Sequence, residues 1–475
     1  MTGVTSGLLW TTGKAFVIAI ILTPIIRDIS RSFNLVDRPG KRKVHAYPLP
    51  RVGGVAIAIA YCVALMTFSG ASVSLAGGET PAWRVLPGAA LVFLIGLLDD
   101  VFSLKPLVKM AGLVAAASVA FFSGIRMGGL GDRPLGVWLE FPLTVLWLLA
   151  TSNALNLIDG LDGLCAGMGL MSTLALFTAA LLHGNYPLAY ATLPLAGALL
   201  GFLCYNVNPA TVFLGDSGAL LIGFLLGCYG MIWTQKSSTL LSMMVPLLAL
   251  SIPLLDSSLS VLRRFLRHQP IFSADRGHIH HRLLDRGFSA RQAVWVLYLF
   301  AALAAAMALL ASSFLDTRYQ GVIVVVFCGV ALIGIRQLRY SEFDIAGRLL
   351  FRGEFHRTVN VRLKIESVAA AMERASTPEE WWAALIEGAS SLDLTTVRWR
   401  SPHGMREKRK PGEDPAWSFS VTLSGDDTIE LEGGFTASVG SFDLVGLGEA
   451  VQRTFRAKSP HRQPGTAENV SPVLP

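Results

Sequence analysis

Long apolar runs separated by short, strongly polar loops organise the first two thirds of this chain. About eleven runs lie near the roughly 20 residues needed to cross a bilayer. They are Leu8–Ile26, Gly53–Phe68, Val85–Leu98, Leu107–Phe122, Leu135–Ala150, Leu164–Leu182, Leu188–Tyr205, Gly218–Trp233, Leu240–Leu262, Ala293–Ser312 and Tyr319–Ile335. The third and fifth are short for a span. An odd number places the two termini on opposite sides. After Arg336 the long runs stop, charge rises and amphipathic patterns begin. Phe343–Met372 mixes apolar and basic residues and reads as a helical connector along a membrane surface. Thr377-Pro378-Glu379-Glu380 is a helix start that predicts a helix to about Ser391. Thr395–Trp399, Trp417–Leu423 and Thr428–Leu431 alternate as strands do, Glu449–Phe455 reads as helix, and Pro460–Pro475 reads as disordered. The expected fold is an all-α polytopic membrane protein of about eleven transmembrane helices with a small cytoplasmic α+β domain. The expected divisions are 1–338, 339–459 and a tail, 460–475.

Composition agrees with a membrane class. Hydrophobic residues are 52% of 475 and charged residues 15%, against about 25% charged in a soluble domain. The net charge of +7 reads as cytoplasmic Lys and Arg and attraction for anionic lipid or phosphate; no nucleic-acid-binding motif accompanies it. The five cysteines lie in or beside apolar runs without CxxC spacing, which suits small core hydrophobes. The first run has only Lys14 before its core and no small-residue cleavage site, so it reads as a retained span.

Charge also orients the chain. The loops after spans one and nine each carry many Arg and Lys, whereas loops of opposite parity hold only Arg84, Arg126 with Arg133, Lys236 and Arg318. By the positive-inside rule the N-terminus lies outside and the C-terminus in the cytoplasm. Five loops then share the cytoplasmic face: Val36–Gly54, Leu97–Pro106, Asn153–Leu164, Asn206–Gly218 and Arg263–Arg291. Every unusual polar cluster of the membrane half falls in them.

Asn153–Leu164, NALNLIDGLDGL, is the centre of this set. Asn153, Asn156, Asp159 and Asp162 recur every three residues and would share one side of a helix. Ionisable groups beside a bilayer are costly and usually functional; a polar loop with caps and turns is the bland alternative. Asp99 and Asp100 end the third span, where the helix dipole disfavours two carboxylates. A metal, Lys105 or Lys109 would offset them, and a solvated span end is the plainer reading. Asp216 in FLGDSGAL suits a hard cation and phosphate oxygens, or an N-cap for span eight. His278, His280 and His281, flanked by Arg276 and Arg282, suit phosphate or nucleotide contact better than zinc, since no Cys or acidic set accompanies them. Asp256 inside span nine reads as a snorkelling or paired carboxylate. Lys43, His45 and Arg51 are ordinary topology signal or a grip on a lipid phosphate.

Taken together, RKVHAYPLPRVGG, GLLDDVFSLKP, NALNLIDGLDGL, FLGDSGAL and DRGHIHHRLLDRGF resemble the polyprenyl-phosphate N-acetylhexosamine-1-phosphate transferases over roughly Phe33 to Phe288. The histidine pattern is similar to the GlcNAc branch, with the peptidoglycan-precursor branch as runner-up. The resemblance implies transfer of a sugar phosphate from a UDP-N-acetylhexosamine to undecaprenyl or another polyprenyl phosphate, releasing UMP, as the first membrane step of a cell-envelope polysaccharide. It implies Mg²⁺ (Mn²⁺ as substitute) on Asn156 and Asp216, and catalytic or lipid-phosphate roles for Asp99 and Asp100, with Asp159 grouped with them. It implies nucleotide-sugar contacts at the histidines, to which Arg276, Asp162 and Asn153 are added. Lys43, His45, Arg51, Lys105 and Lys109 are the expected lipid-phosphate ligands. The implied setting is a bacterial inner membrane, with room for a homodimer. One departure stands out: Ser103 occupies the place where the family often has a third acid. A secondary transporter is the rival of another class, but it would need ionisable residues near the bilayer midplane.

Overall fold

The computed structural model describes residues 2–37, 48–67, 82–127, 136–234, 243–266, 277–313, 317–337, 354–402, 404–410, 415–424, 426–434 and 441–458. The chain divides into two compact units, Met1–Tyr340 and Ser341–Pro475.

The first unit is helical. In order it comprises α1 (Thr2–Ser32), a two-residue ladder of β1 (Val36–Asp37) with β2 (Leu49–Pro50), α2 (Gly53–Met66), α3 (Leu86–Phe102), α4 (Pro106–Phe122), α5 (Val137–Ile158), α6 (Leu164–Leu182), α7 (Tyr186–Asn206), α8 (Gly215–Thr234), α9 (Met244–Ala249), α10 (Ser251–Leu266), α11 (Ile279–Asp285), α12 (Ala290–Ser313) and α13 (Thr317–Gln337). Each predicted apolar run is mostly helical over its described residues. Among the described residues six helices are long and apolar enough to cross a membrane: the Ser6–Ser32 part of α1, and α5, α6, α7, α8 and α12. The expected count of eleven spans is not confirmed, because α2, α3, α4 and the apolar part of α13 have fewer than 18 residues and the ninth run is broken. This unit is a membrane protein built around α8, whose side chains are nearly all buried.

The break in the ninth run has a local cause. Pro253 has no N–H to give the carbonyl four residues back, at Ala249, where α9 ends. Ser172 Oγ of α6 donates to that carbonyl instead, at 2.6 Å. In α1, Pro24 likewise leaves the Ile20 carbonyl open, and Tyr205 Oη of α7 donates to it at 3.0 Å. Neighbouring helices thus satisfy backbone groups that lipid cannot.

Close packing of small residues sets the positions of α2 and α3 on α8. A methyl group on Gly54 would overlap the backbone of Gly218, and one on Gly96 would overlap the backbone of Asp216 and Ser217. The start of α2 is also tied by backbone: Gly53 and Gly54 N–H donate to the Phe213 and Leu214 carbonyls at 3.0 and 2.8 Å, and Phe213 N–H to Pro50 at 2.8 Å.

The second unit joins α14 (Glu354–Arg374), α15 (Pro378–Ser391) and α16 (Ser441–Lys458) to an antiparallel sheet. Its strands are β3 (Leu394–Ser401), β4 (Gly404–Arg409), β5 (Trp417–Ser424) and β6 (Asp427–Gly433), in the order β4-β3-β6-β5. Thr377 and Glu380 form a capping box at α15. Trp381, 2% exposed, centres the core with Met372, Leu385, Val397, Ile429, Leu431 and Val451, and its Nε1–H donates to Thr454 Oγ1 at 3.1 Å. The outer sheet face is polar, with Arg398 bonded to Glu430 at 2.7 Å and Glu407 at 3.1 Å. Strand β4, GMREKR, is absent from the sequence reading: every residue is exposed, so it carries no alternation and is held by backbone pairing to β3. The predicted tail Pro460–Pro475 lies outside the described residues.

Gly96→Ala should lower the thermal midpoint of the detergent-solubilised protein, at a cost of about 1–3 kcal/mol for overpacking. Gly321→Ala, where nothing lies within 4 Å of the added carbon, is the control and should leave the midpoint unchanged or slightly raised.

Candidate active site

Four helix ends meet at one place. Ser103 ends α3 in the left-handed region, φ +52°, with its N–H on the Asp99 carbonyl at 2.9 Å. Leu104 N–H donates to Asp99 Oδ1 at 2.7 Å. This tight reversal starts α4 at Pro106 and brings Lys109 back over the end of α3. Lys109 Nζ lies 2.9 Å from Asp99 Oδ2, pairs with Asp216 Oδ2 at the start of α8, and reaches Asn156 Oδ1 near the end of α5 at 3.4 Å. Asn156 and Asp99 are each within hydrogen-bonding reach of Asp216. The ammonium thus sits where three side-chain oxygens converge. Lys105 is exposed at the head of α4, and its carbonyl accepts the Val108 and Lys109 N–H groups.

Asp100 faces the other way along the same junction. Its Oδ1 accepts the Asp216 N–H at 2.8 Å and its Oδ2 the Ser217 N–H at 2.9 Å. These are open donors of the first turn of α8, at the positive end of its dipole. Gly215, φ +77°, lies against the Arg51 carbonyl, and a side chain there would also meet Asp100 Oδ2 at 2.7 Å. Asp100 therefore fixes the start of α8, and with it Asp216.

The NALNLIDGLDGL stretch is partly helix and partly turn. α5 ends at Ile158, so Asp159 and Asp162 leave the shared side that a continuous helix would give. Asp159 is half-buried, and its carboxyl is pushed up to about 8. Burial is the main cause; Asp216, Asp100 and Asp162 add to it, and Arg51 opposes it. Asp162 Oδ2 accepts from Asn208 Nδ2 at 2.9 Å and Ala210 N–H at 3.0 Å. Asn206, 4% exposed, accepts the Gly163 N–H at 3.1 Å and donates to the Val212 carbonyl at 2.9 Å. Asp162 and Asn206 thus stitch the 159–163 turn to the 206–214 loop. Asn153 Nδ2 donates to its own helix at Leu149, 2.8 Å. Its side chain is not brought to Lys109, and neither is that of Asp162.

The histidine segment reaches the same turn. His280, 2% exposed, packs on Gly160, where any side chain would overlap its ring. It stacks on His278 with centroids 5.7 Å apart and tilts on His281 at 4.4 Å. Burial, then His281, pushes the His280 ring down to about 3, so it is neutral at physiological pH. Lys43, His45 and Arg276 lie outside the described residues. The sequence points to Gly160 as a place where the backbone can turn or approach closely, and His280 fills that place; it gives no role to Asn206 or to Tyr298, whose hydroxyl donates to the Gly163 carbonyl at 2.5 Å. An amide beside a span end was the signal for Asn206, and it is common in ordinary loops.

The donor set at Lys109 fits a small hard cation. Among the described residues no three His, Cys, Asp or Glu side chains form a metal cage. Mg²⁺ needs no such cage: it takes one or two carboxylates and fills its shell with waters and substrate phosphate. Asp99, Asp216 and the Asn156 carbonyl already surround a positive group, so their geometry suits one. Acids, amides and a lysine at the ends of membrane helices, beside a histidine turn, define a membrane enzyme class that handles phosphates.

Similarity to known proteins narrows this class. Residues 82–234 match the model of glycosyl transferase family 4. The chain is 36% identical to a probable undecaprenyl-phosphate N-acetylglucosaminyl 1-phosphate transferase of Bacillus subtilis, over 60% of this chain and 80% of that protein. It is 35% identical to a decaprenyl-phosphate N-acetylglucosaminephosphotransferase of Mycolicibacterium smegmatis, over 67% and 86%. It is 31% identical to an undecaprenyl-phosphate alpha-N-acetylglucosaminyl 1-phosphate transferase of Escherichia coli K12, over 60% and 78%. The chain belongs to the polyprenyl-phosphate N-acetylhexosamine-1-phosphate transferases of glycosyl transferase family 4.

Lys109→Gln should leave Asp99 and Asp216 facing each other without a counter-charge. In metal-free buffer this should destabilise the protein by on the order of 2 kcal/mol, less than a fully buried pair because water reaches the site. Millimolar Mg²⁺ should restore the thermal midpoint of the variant more than that of the wild type. An equal Mg²⁺ response in both would show that the oxygens do not form the cation position.

Proposed function

We propose that this protein transfers N-acetylglucosamine-1-phosphate from UDP-GlcNAc to a polyprenyl phosphate, giving polyprenyl-diphosphate-GlcNAc and UMP. The observation that carries the reading is the convergence of Asp99, Asp216 and Asn156 on one cation position. It occurs in a chain whose relatives are named for this transfer. The proposed setting is the cytoplasmic face of a bacterial inner membrane, where the basic loops of the sequence gather. There a water-soluble sugar nucleotide and a lipid-borne phosphate can share one pocket.

The lipid phosphate oxygen attacks the sugar-bearing phosphorus, and the bond to the UMP oxygen breaks with its electron pair. A phosphate monoester has its second pKa near 6, so the attacking group is mostly dianionic at neutral pH. Catalysis then rests on placement and charge. Asp216, Asn156 and Asp99 would hold Mg²⁺, which supplies charge neutralisation of the diphosphate when bound. Asp100 keeps Asp216 in place through the start of α8. Lys109, paired with Asp99 and Asp216, is a positive group beside the reacting phosphates, and Arg51 adds charge near Asp159. Asp159 is the carboxyl placed to hold or move a proton at the edge of this cluster. The neutral His280, with His278 and His281, lies on the same turn and suits the donor nucleotide sugar.

Two other readings lose ground on particular observations. A transporter would carry its ionisable groups near the midplane, whereas the acids here gather at one end of the bundle, with Asp256 already bonded to His278. The peptidoglycan branch is disfavoured because the relatives above are named for GlcNAc transfer.

Purified protein with undecaprenyl phosphate, Mg²⁺ and a panel of UDP-sugars should release UMP and form lipid product with UDP-GlcNAc. Sugar nucleotide crossing vesicles without UMP release would instead indicate transport. Asp216→Asn should lower kcat by on the order of 10²–10³-fold. Asp159 gives the pH test. Its raised pKa keeps it protonated until pH rises through about 8, and a nearby divalent cation favours the carboxylate. The rising limb of kcat/KM should therefore move to lower pH as Mg²⁺ is raised, and should vanish in Asp159→Asn.

A further inference from the structure

One buried acid of the membrane unit takes no part in the chemistry above. Asp256, 1% exposed in α10, has two acceptor bonds: His278 Nδ1–H donates to its Oδ2 at 2.9 Å and Ile279 N–H to its Oδ1 at 2.8 Å. Burying a carboxylate is costly unless such donors compensate it. These two come from consecutive residues that open α11. Seven residues along α10, on the same side of the helix, lies Arg263, 4% exposed. Its guanidinium packs against Gly277, where any side chain would overlap it. One face of α10 therefore grips Gly277, His278 and Ile279 in a row.

This grip has a chemical consequence. A carboxylate accepts only, so His278 must carry its proton on Nδ1. In the neutral ring, Nε2 is then left as an acceptor, and the ring plane is fixed. His280 stacks on that ring with the planes 7° apart and rests on Gly160, next to Asp159. Asp256 is thereby linked through two rings to the turn that holds the catalytic acid.

We propose that Asp256 is a positioning residue for sugar-nucleotide binding: it fixes the tautomer and orientation of His278 and so presents the histidine segment to the Asp159 turn. The inference rests on the reading that these histidines contact the donor. A purely structural role as the cap of α11 makes a different demand. The side-chain oxygen of Asn accepts a backbone N–H as a carboxylate oxygen does, so Asp256→Asn keeps the bond from Ile279. Its amide N–H₂ cannot accept the His278 proton, so the ring must change tautomer or turn. Asp256→Ala loses both bonds.

The experiment compares wild type, Asp256→Asn, Asp256→Ala, His278→Ala and the Asp256→Asn/His278→Ala double variant. It records KM for UDP-GlcNAc, KM for undecaprenyl phosphate, kcat, the thermal midpoint, and hydrogen–deuterium exchange of the peptide covering Gly277–Asp285. Asp256→Asn should raise KM for UDP-GlcNAc about 10–100-fold, the usual scale for losing a partner behind a contacting histidine. KM for the lipid and the thermal midpoint should stay near wild type, and the Gly277–Asp285 amides should exchange faster. In the His278→Ala background the same change should add nothing to the donor KM. A donor KM and exchange pattern in Asp256→Asn equal to wild type would overturn the proposal and leave a cap. So would an undiminished effect in the His278→Ala background. If wild type releases no UMP from any UDP-sugar, the functional reading fails instead, and the exchange arm still decides whether Asp256 holds the segment.

Discussion

Two adjacent carboxylates at the end of α3 hold the start of α8, and each does so by different means. Asp100 accepts two backbone N–H groups of the first turn. Asp99 meets Asp216 across the shared Lys109 ammonium. A helix begins with unpaired N–H groups, and where that end is buried the protein must satisfy them. Supplying that cap from a neighbouring helix ties the two helix ends together. It also sets Asp216 at a defined distance from Asp99 before any substrate arrives.

That arrangement is reached because backbones can touch. Gly96 lets α3 lie against Asp216 and Ser217, Gly54 lets α2 lie against Gly218, and Gly215 turns next to the Arg51 carbonyl. Between membrane helices there is little hydrophobic drive to associate, so close van der Waals contact and hydrogen bonds carry the packing. The same residues that assemble the bundle place the charges, and changes in packing are felt at the site. The polar side chains divide accordingly. Asp100, Asp162 and Asn206 bond backbone and loop groups, whereas Asp99, Asp216 and Asn156 converge on Lys109 in a site where charge is costly.

The second unit follows different rules. Its core is aromatic and aliphatic around Trp381, and its polar sheet face is laced by Arg398 and its glutamates. It carries none of the residues proposed for the transfer reaction.

Much of this was legible along the chain. Hydrophobic run length revealed nearly every helix, because a backbone in lipid has few alternatives to helix. The Thr377–Glu380 start predicted where α15 begins, since a capping box is a local interaction. The motif loops pointed to Asp99, Asn156, Asp159, Asp216 and the histidines, since acids and amides at span ends are rarely idle. Direction of bonding was not legible. Whether an aspartate faces a cation or a helix terminus depends on what lies across a gap, so only the folded chain separated Asp99 from Asp100 and Asp159 from Asp162. The carbonyl that Pro253 leaves open at Ala249 needed Ser172 from another helix, and β4 needed β3 beside it. Periodicity and motif chemistry are written within one segment, whereas a partner from a distant segment exists only once the tertiary structure has formed.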